Sequence, residues 1–315
     1  MKIVITGALG HIGSRLVQTL PAEFPDAELL LLDDFSTQRY CSLFNLSASR
    51  FRFEAADVLQ APLDALFAGA DGVIHLAAVT DAVASFDQRD RVEQVNFEAT
   101  GRVARACAAA DVPLIFLSTT SVYGSQAEVV DENCPIEELK PQSPYAESKL
   151  ASERLLTQLG GEIGLRFITC RFGTIFGVSP GMRFHTAVNK FMWQACFGQP
   201  ITVWRAALDQ RRPYLDLEDG VRAIAFIIAR QLYDNAIYNV LTTNLSVRQV
   251  VDAIRPHVAD LRVDFVDSPI MNQLSYDVRC EKFTSLGFSF EGSLERAVAD
   301  TFRLLGNAGT LNRLR

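Results

Sequence analysis

Tyr145-Ala146-Glu147-Ser148-Lys149 sets a phenol and an ammonium four residues apart, and on a helix that spacing puts both on one face. A phenol with a pKa of about 10 is a poor base at neutral pH, but a nearby cation favours the phenolate. An ordinary amphipathic helix can carry the same pair, so the spacing alone leaves both readings open. Upstream, Leu117-Ser118-Thr119-Thr120-Ser121-Val122-Tyr123-Gly124 closes an apolar run with a cluster of hydroxyls. A hydroxyl there can hydrogen-bond a substrate oxygen and help carry its proton. Capping of the next segment is the plainer alternative.

Near the start, Thr6-Gly7-Ala8-Leu9-Gly10-His11-Ile12-Gly13 follows an apolar run and opens a helical pattern. Glycines at this spacing permit a tight turn, close approach of backbone to a pyrophosphate, and close helix–strand packing. The helix N-terminus then presents free N–H groups to an anion. About twenty residues on, Leu29-Leu30-Leu31-Leu32 ends in Asp33-Asp34. A carboxylate at the end of a second strand suits both ribose hydroxyls and repels a 2′-phosphate, which favours NAD over NADP. Asp34 fits a turn or capping role better. Asp57, in Ala56-Asp57-Val58 after a third strand, either faces an adenine ring or serves a turn.

These groups need a scaffold, and the rest of the sequence supplies one. Lys2–Thr6 and residues 28–32, 73–76, 114–118 and 165–171 read as buried strands. Between them, Ile12, Leu16, Val17 and Leu20 form one helical face that Pro21 is expected to end, and Val92, Val95, Ala99, Val103 and Ala106 form another. A helix runs from Tyr145 to about Gly160-Gly161. The alternation predicts an α/β fold, a doubly wound parallel sheet with a smaller C-terminal substrate lobe. A dinucleotide-binding domain is expected over 1–172 and the lobe over 173–315, with a return to the sheet within 213–242, where 220–230 is helical and Ile237–Val240 a strand. With 49% hydrophobic and 21% charged residues, the 315-residue chain has ample core. A net charge of −7 argues against a nucleic-acid partner. No signal peptide or membrane-spanning stretch is read, and six scattered cysteines (41, 107, 134, 170, 196, 280) with four histidines suggest reduced thiols, no metal site and a cytoplasmic protein.

In this order, TGALGHIG, the acidic end of the second strand, His75-Leu76-Ala77-Ala78, STTSVYG and YAESK resemble the extended short-chain dehydrogenase/reductases. The likeness is specifically to the NAD-dependent epimerase/dehydratase group and covers nearly the whole chain. It implies that Tyr145 is the acid/base, that Lys149 lowers its pKa and holds the nicotinamide ribose, and that Thr119 is the hydroxyl partner. It implies an NAD site of Gly7, Leu9, Gly10, His11, Ile12, Asp33, Asp57, Val58, Leu76, Ala77, Ala78 and Asn96 together with Tyr145 and Lys149. It places the substrate, a nucleotide sugar, against Thr80, Ser85, Thr119, Thr120, Thr174, His185, Arg212 and Arg279, in a homodimer.

Departures from the group's pattern lie in the lobe. Pro213 follows Arg212 where an Asp is usual, Asp216 replaces a His or Tyr, and Val203-Trp204-Arg205-Ala206-Ala207-Leu208 lacks a Gly-Asp-Gly. Ser268-Pro269-Ile270-Met271-Asn272-Gln273 stands where a second phosphate-binding arginine is common, with Arg279 as the substitute. Thr120 and Ser121 occupy positions where the dehydratases carry acids. The expected activity is therefore epimerisation, with a dehydrogenase/reductase or a dehydratase as alternatives, and a non-catalytic NAD-binding protein behind them.

Overall fold

Seven strands form the central sheet of the computed structural model, which describes residues 1–46, 50–124, 128–267 and 275–308. They are β1 (Lys2–Thr6), β2 (Glu28–Asp33), β3 (Phe51–Ala55), β4 (Gly72–His75), β5 (Leu114–Thr119), β6 (Phe167–Phe172) and β7 (Ile237–Val240). Their order is β7-β6-β5-β4-β1-β2-β3, and every pairing is parallel. The strand order reverses at the β1–β4 neighbours, which opens a crevice above their C-terminal ends.

Alternate residues of each strand feed two cores. Ile3, Ile5, Leu29, Leu31, Ile115 and Ile168 pack with Leu16 and Leu20 of α1 (His11–Glu23) on one face. Val4, Leu30, Leu32, Leu114, Phe116 and Phe167 face the other way, against Val103 of α2 (Ala99–Ala109) and Leu156 of α3 (Pro144–Ile163). A parallel sheet covered on both sides needs apolar residues in both registers, which explains the unbroken apolar runs. Pro21 does not end α1, which continues to Glu23. A proline in the last turn removes a single backbone bond, and the Phe24 N–H closes the helix on the Leu20 carbonyl.

The return to the sheet is made by a helix (Leu217–Arg230) and β7. The strand Arg211–Asp216, which overlaps the start of the 213–242 stretch, lies elsewhere. It is the middle of a three-stranded sheet, between Thr243–Ser246 and Thr174–Phe176. That small sheet packs in a separate core with Phe176, Phe191, Met192, Tyr214, Val250 and Val298.

A short segment of the lobe is tied to the glycine-rich loop. The His11 Nε2 bonds the Gly177 carbonyl at 2.8 Å, the Ser179 hydroxyl donates to the His11 carbonyl at 2.8 Å, and the Gly181 N–H donates to the Ser14 hydroxyl at 2.9 Å. A Cβ on Gly181 would lie 2.4 Å from the carbonyl oxygens of Leu9 and Gly10. Gly181→Ala should therefore push this segment off the loop and destabilise the fold by about 1–3 kcal/mol, the usual cost of overpacking against rigid backbone. Denaturant unfolding measures this, and wild-type stability in the variant would show that the close approach is not required.

Candidate active site

The helix α3 begins where its cap residues dictate. Ser143 accepts the Ala146 N–H at 3.2 Å and Pro144 occupies the first turn, so Tyr145 stands at the very start and Lys149 one turn later. Both face the end of β5. Thr119 closes that strand, its hydroxyl accepts the Ser121 N–H at 3.1 Å, and it is hydrogen-bonded to the Tyr145 phenol. Its own proton is therefore free to point at the phenolic oxygen, the polarity that favours phenolate.

Burial raises the Tyr145 pKa above the ordinary phenol value; Arg183 and the Thr119 bond oppose the rise. The cation acting on the phenol in this structure is thus Arg183, whereas the Lys149 ammonium lies 4.7 Å from the centroid of the Phe116 ring. Lys149 itself is brought down to about 7, first by burial and further by Arg183, against the opposing charge of Glu153. Arg183 is lowered to about 10 by burial, and its Nε is buried with no hydrogen-bond partner among the described residues.

Behind this group runs a directional hydrogen-bond chain. The Thr6 hydroxyl accepts the N–H groups of Leu76 and Ala77, so it donates to His75 Nδ1 at 2.7 Å. His75 Nε2 must then carry the proton and donate to Thr100 at 3.1 Å, and Thr100 donates to the Asn96 carbonyl at 2.6 Å. Asn96 sits in a π-helical stretch, Glu93–Glu98, that turns it inward. Its amide bonds both backbone groups of Val79 and the Ser148 hydroxyl of α3.

The glycine-rich loop fits a dinucleotide. Gly7 has φ +65°, and a Cβ there would lie 2.5 Å from the Ala77 nitrogen. Gly10 caps α1 without a side chain and no acidic residue occupies the first turn, so the free N–H groups are left for an anion. The buried Nδ1 of His11, without a partner among the described residues, belongs to a side chain that lines the adjoining cavity. Asp33 accepts the Leu9 N–H at 3.0 Å and the Phe35 N–H at 3.0 Å, which sets its carboxylate against the loop.

That cavity, of about 490 Å³, is lined by His11, Ile12, Leu76, Ala78, Thr80, Thr119, Thr120, Tyr145, Lys149, Thr174, His185 and Arg212 of the expected residues. Others stand back from its wall. The Ser85 hydroxyl donates to the Ala82 carbonyl and faces the Tyr145 N–H, Asp57 caps its own turn through Leu59, and Val58 is core. Arg279 is exposed and outside the lining, because its strand, Asp277–Val278, pairs with Val129–Val130 and ends the run there. The segment from Ser268 to Gln273 lies outside the described residues. Asp216 caps the helix Leu217–Arg230 and accepts from Ser293 rather than reaching the cavity. The sequence reading gave no individual role to Arg183, Lys190, Gln210, Trp204 and Tyr276, which all line it. The Tyr276 phenol donates to the Thr120 carbonyl at 3.1 Å, and the Arg212 guanidinium lies over its ring.

The model of the NAD dependent epimerase/dehydratase family matches residues 3–240. The chain belongs to that family. An uncharacterized UDP-glucose epimerase of Bacillus subtilis is 31% identical over 240 residues, 73% of each chain. A trifunctional UDP-glucose 4,6-dehydratase/UDP-4-keto-6-deoxy-D-glucose 3,5-epimerase/UDP-4-keto-L-rhamnose-reductase of Arabidopsis thaliana is 28% identical over 95% of this chain, which spans 46% of that longer protein. The fold matches UDP-glucuronic acid 4-epimerase from Bacillus cereus, solved with UDP-glucuronic acid and NAD, with a TM-score of 0.86 over 100% of both chains at 23% identity. NAD is thus the cofactor, and the chain is an enzyme of the epimerase/dehydratase type. Among the described residues no helix is long and apolar enough to cross a membrane.

Burial holds His11 and His75 neutral, with pKa values of about 3 against 6.5 for a free imidazole. Because the folded values are depressed, the unfolded chain binds protons that the folded chain refuses as pH drops below 6.5. The contribution of these two groups to stability is whole above that pH and lost toward acid. Imidazole ¹⁵N resonances should keep both rings neutral from pH 7.5 to pH 5, with His75 as its Nε2–H tautomer. Protonation of either ring near pH 6 would contradict its burial.

Proposed function

We propose that this enzyme is a sugar-nucleotide epimerase, which oxidises one sugar carbinol to a transient ketone and re-reduces it on the opposite face. The observation that carries the reading is the convergence of Thr119, Tyr145 and Lys149 on a cavity wall where hydroxyls replace the acids of an elimination. Thr120 spends its proton on the Phe172 carbonyl at 3.3 Å, and Ser121 is a neutral hydroxyl, so neither is a strong proton donor or acceptor. The UDP-sugar names of the matched proteins support a nucleotide-sugar substrate.

When bound, NAD supplies the hydride acceptor and then the donor. The chain's own groups handle the proton. Tyr145 takes it from the carbinol with Thr119 holding the same oxygen, and returns it once the ketone has turned. Lys149 holds the nicotinamide ribose, and Arg183 is the cation that favours the ionised phenol. Asp33 accepts from the adenosine ribose hydroxyls. Arg212 and Lys190, cations on the cavity wall, suit the diphosphate. From the same family likeness we infer a cytoplasmic homodimer. A dehydratase is the second reading, favoured by Asp81, the one carboxylate among the described residues of the cavity lining.

With a panel of UDP-, dTDP-, CDP- and GDP-sugars, the product of the true substrate should equal it in mass, with no NADH accumulating in solution. A product lighter by one water would overturn the epimerase in favour of the dehydratase, and steady NADH release would favour a dehydrogenase. Tyr145→Phe should lower turnover by roughly 10²–10⁴ while NAD still binds. Calorimetry should also show NAD bound far more tightly than NADP, and Asp33→Ala should narrow the difference; equal affinities in the wild type would sink the role given to Asp33.

A further inference from the structure

Glu153 lies one turn beyond Lys149 on α3, 3% exposed, and the reaction proposed above does not use it. Arg171, also 3% exposed, grips both carboxylate oxygens, Nε at 3.0 Å and Nη2 at 2.7 Å. The Ser118 hydroxyl donates to the same carboxylate at 2.5 Å. The arginine is itself fixed, with its guanidinium 4.8 Å from the centroid of the Tyr123 ring, and the Tyr123 phenol donates to Asn239 at 2.9 Å.

A buried ion pair is weak evidence for stability, since well-packed apolar side chains in its place are often neutral or better. Its neighbours show what it does instead. Ser118 immediately precedes Thr119. Arg171 immediately precedes Phe172, whose carbonyl receives the Thr120 hydroxyl. The i, i+4 spacing sets Glu153 on the same face of α3 as Lys149.

The groups acting on or touching Lys149 come from several elements. Tyr145 shares its helix, Phe116 of β5 lies beneath it, neutral His75 of β4 stands behind, and Arg183 of the lobe faces it. Burial and Arg183 both act against the ammonium; among the described groups Glu153 is the anion acting for it.

We propose that Glu153 is a positioning residue of the active site, keeping Lys149 an ammonium and, through Ser118, holding the strand end that carries Thr119. The proposal rests on the reading of Lys149 as a working residue, and its test needs no sugar. The chain has five lysines, at 2, 140, 149, 190 and 282, so labelling with ¹³C-lysine gives a resolvable set of ε-carbon signals. The signal missing from Lys149→Met belongs to Lys149. In Glu153→Gln its titration midpoint should fall by about one pH unit or more, the usual effect of losing a close opposite charge. Glu153→Asp, which keeps the charge, should restore most of the shift. Because Glu153→Gln leaves Arg171 unpaired, the titration is repeated in Glu153→Gln/Arg171→Met, where the midpoint should again be low. A Lys149 midpoint unchanged in the folded variants would reduce Glu153 to a structural residue and overturn the proposal. A shifted midpoint in a protein that later proves to lack epimerase activity would leave the proposal standing and fail only the assigned reaction.

Discussion

An ammonium taken out of water must be compensated where it lies, and the working end of this molecule is arranged around that requirement. Lys149 is 4% exposed, over Phe116 of β5, an inner strand of a sheet whose strands are apolar on both faces. The Phe116 ring offers its negative face, which softens the loss of hydration without supplying a full charge. The imidazole behind it is kept uncharged by its burial, and the hydroxyl relay from Thr6 to Thr100 satisfies both ring nitrogens, so the relay adds no second positive charge. Removing either hydroxyl would leave a polar atom stranded in the core, which costs more than the bond itself is worth.

The same economy of elements places the oxygens of Tyr145 and Thr119. One serine cap and one proline start α3 at the point where its first turn meets the end of β5. The sheet register puts Thr6 beside His75 across β1 and β4, and Thr119 beside Phe172 across β5 and β6. Side chains remote in sequence therefore converge because four strand ends stop at one level. The proposed catalytic geometry is a property of the register as much as of the helix.

Strands and the glycine-rich turn were legible because their signals are local: apolar runs of fixed length, and glycines where a Cβ would strike backbone. The third strand was harder to bound, since Phe51–Ala55 is an edge strand with mixed burial and no continuous apolar run. Arg183 carries no such local signal. It lies in an irregular stretch, and its approach to Tyr145 comes from the docking of residues 177–181 on the glycine-rich loop, a contact between positions some 170 apart in the chain. Arg279 failed in the opposite sense. Its sequence position suggested an anion contact, but a two-residue strand pairing leaves it on the surface. Ser85 was expected against the substrate, and the fold employs its hydroxyl on backbone at the head of α3.

The docked segment also restricts how the molecule can breathe. A clam-like swing of the lobe away from the sheet would break the bonds of His11, Ser14 and Ser179 together and separate surfaces in which glycine meets bare carbonyl oxygens. Each such bond is worth about 0.5–1.5 kcal/mol, and losing all three at once makes that swing the costly mode. The glycine-rich turn and the lobe are thus held together as one frame.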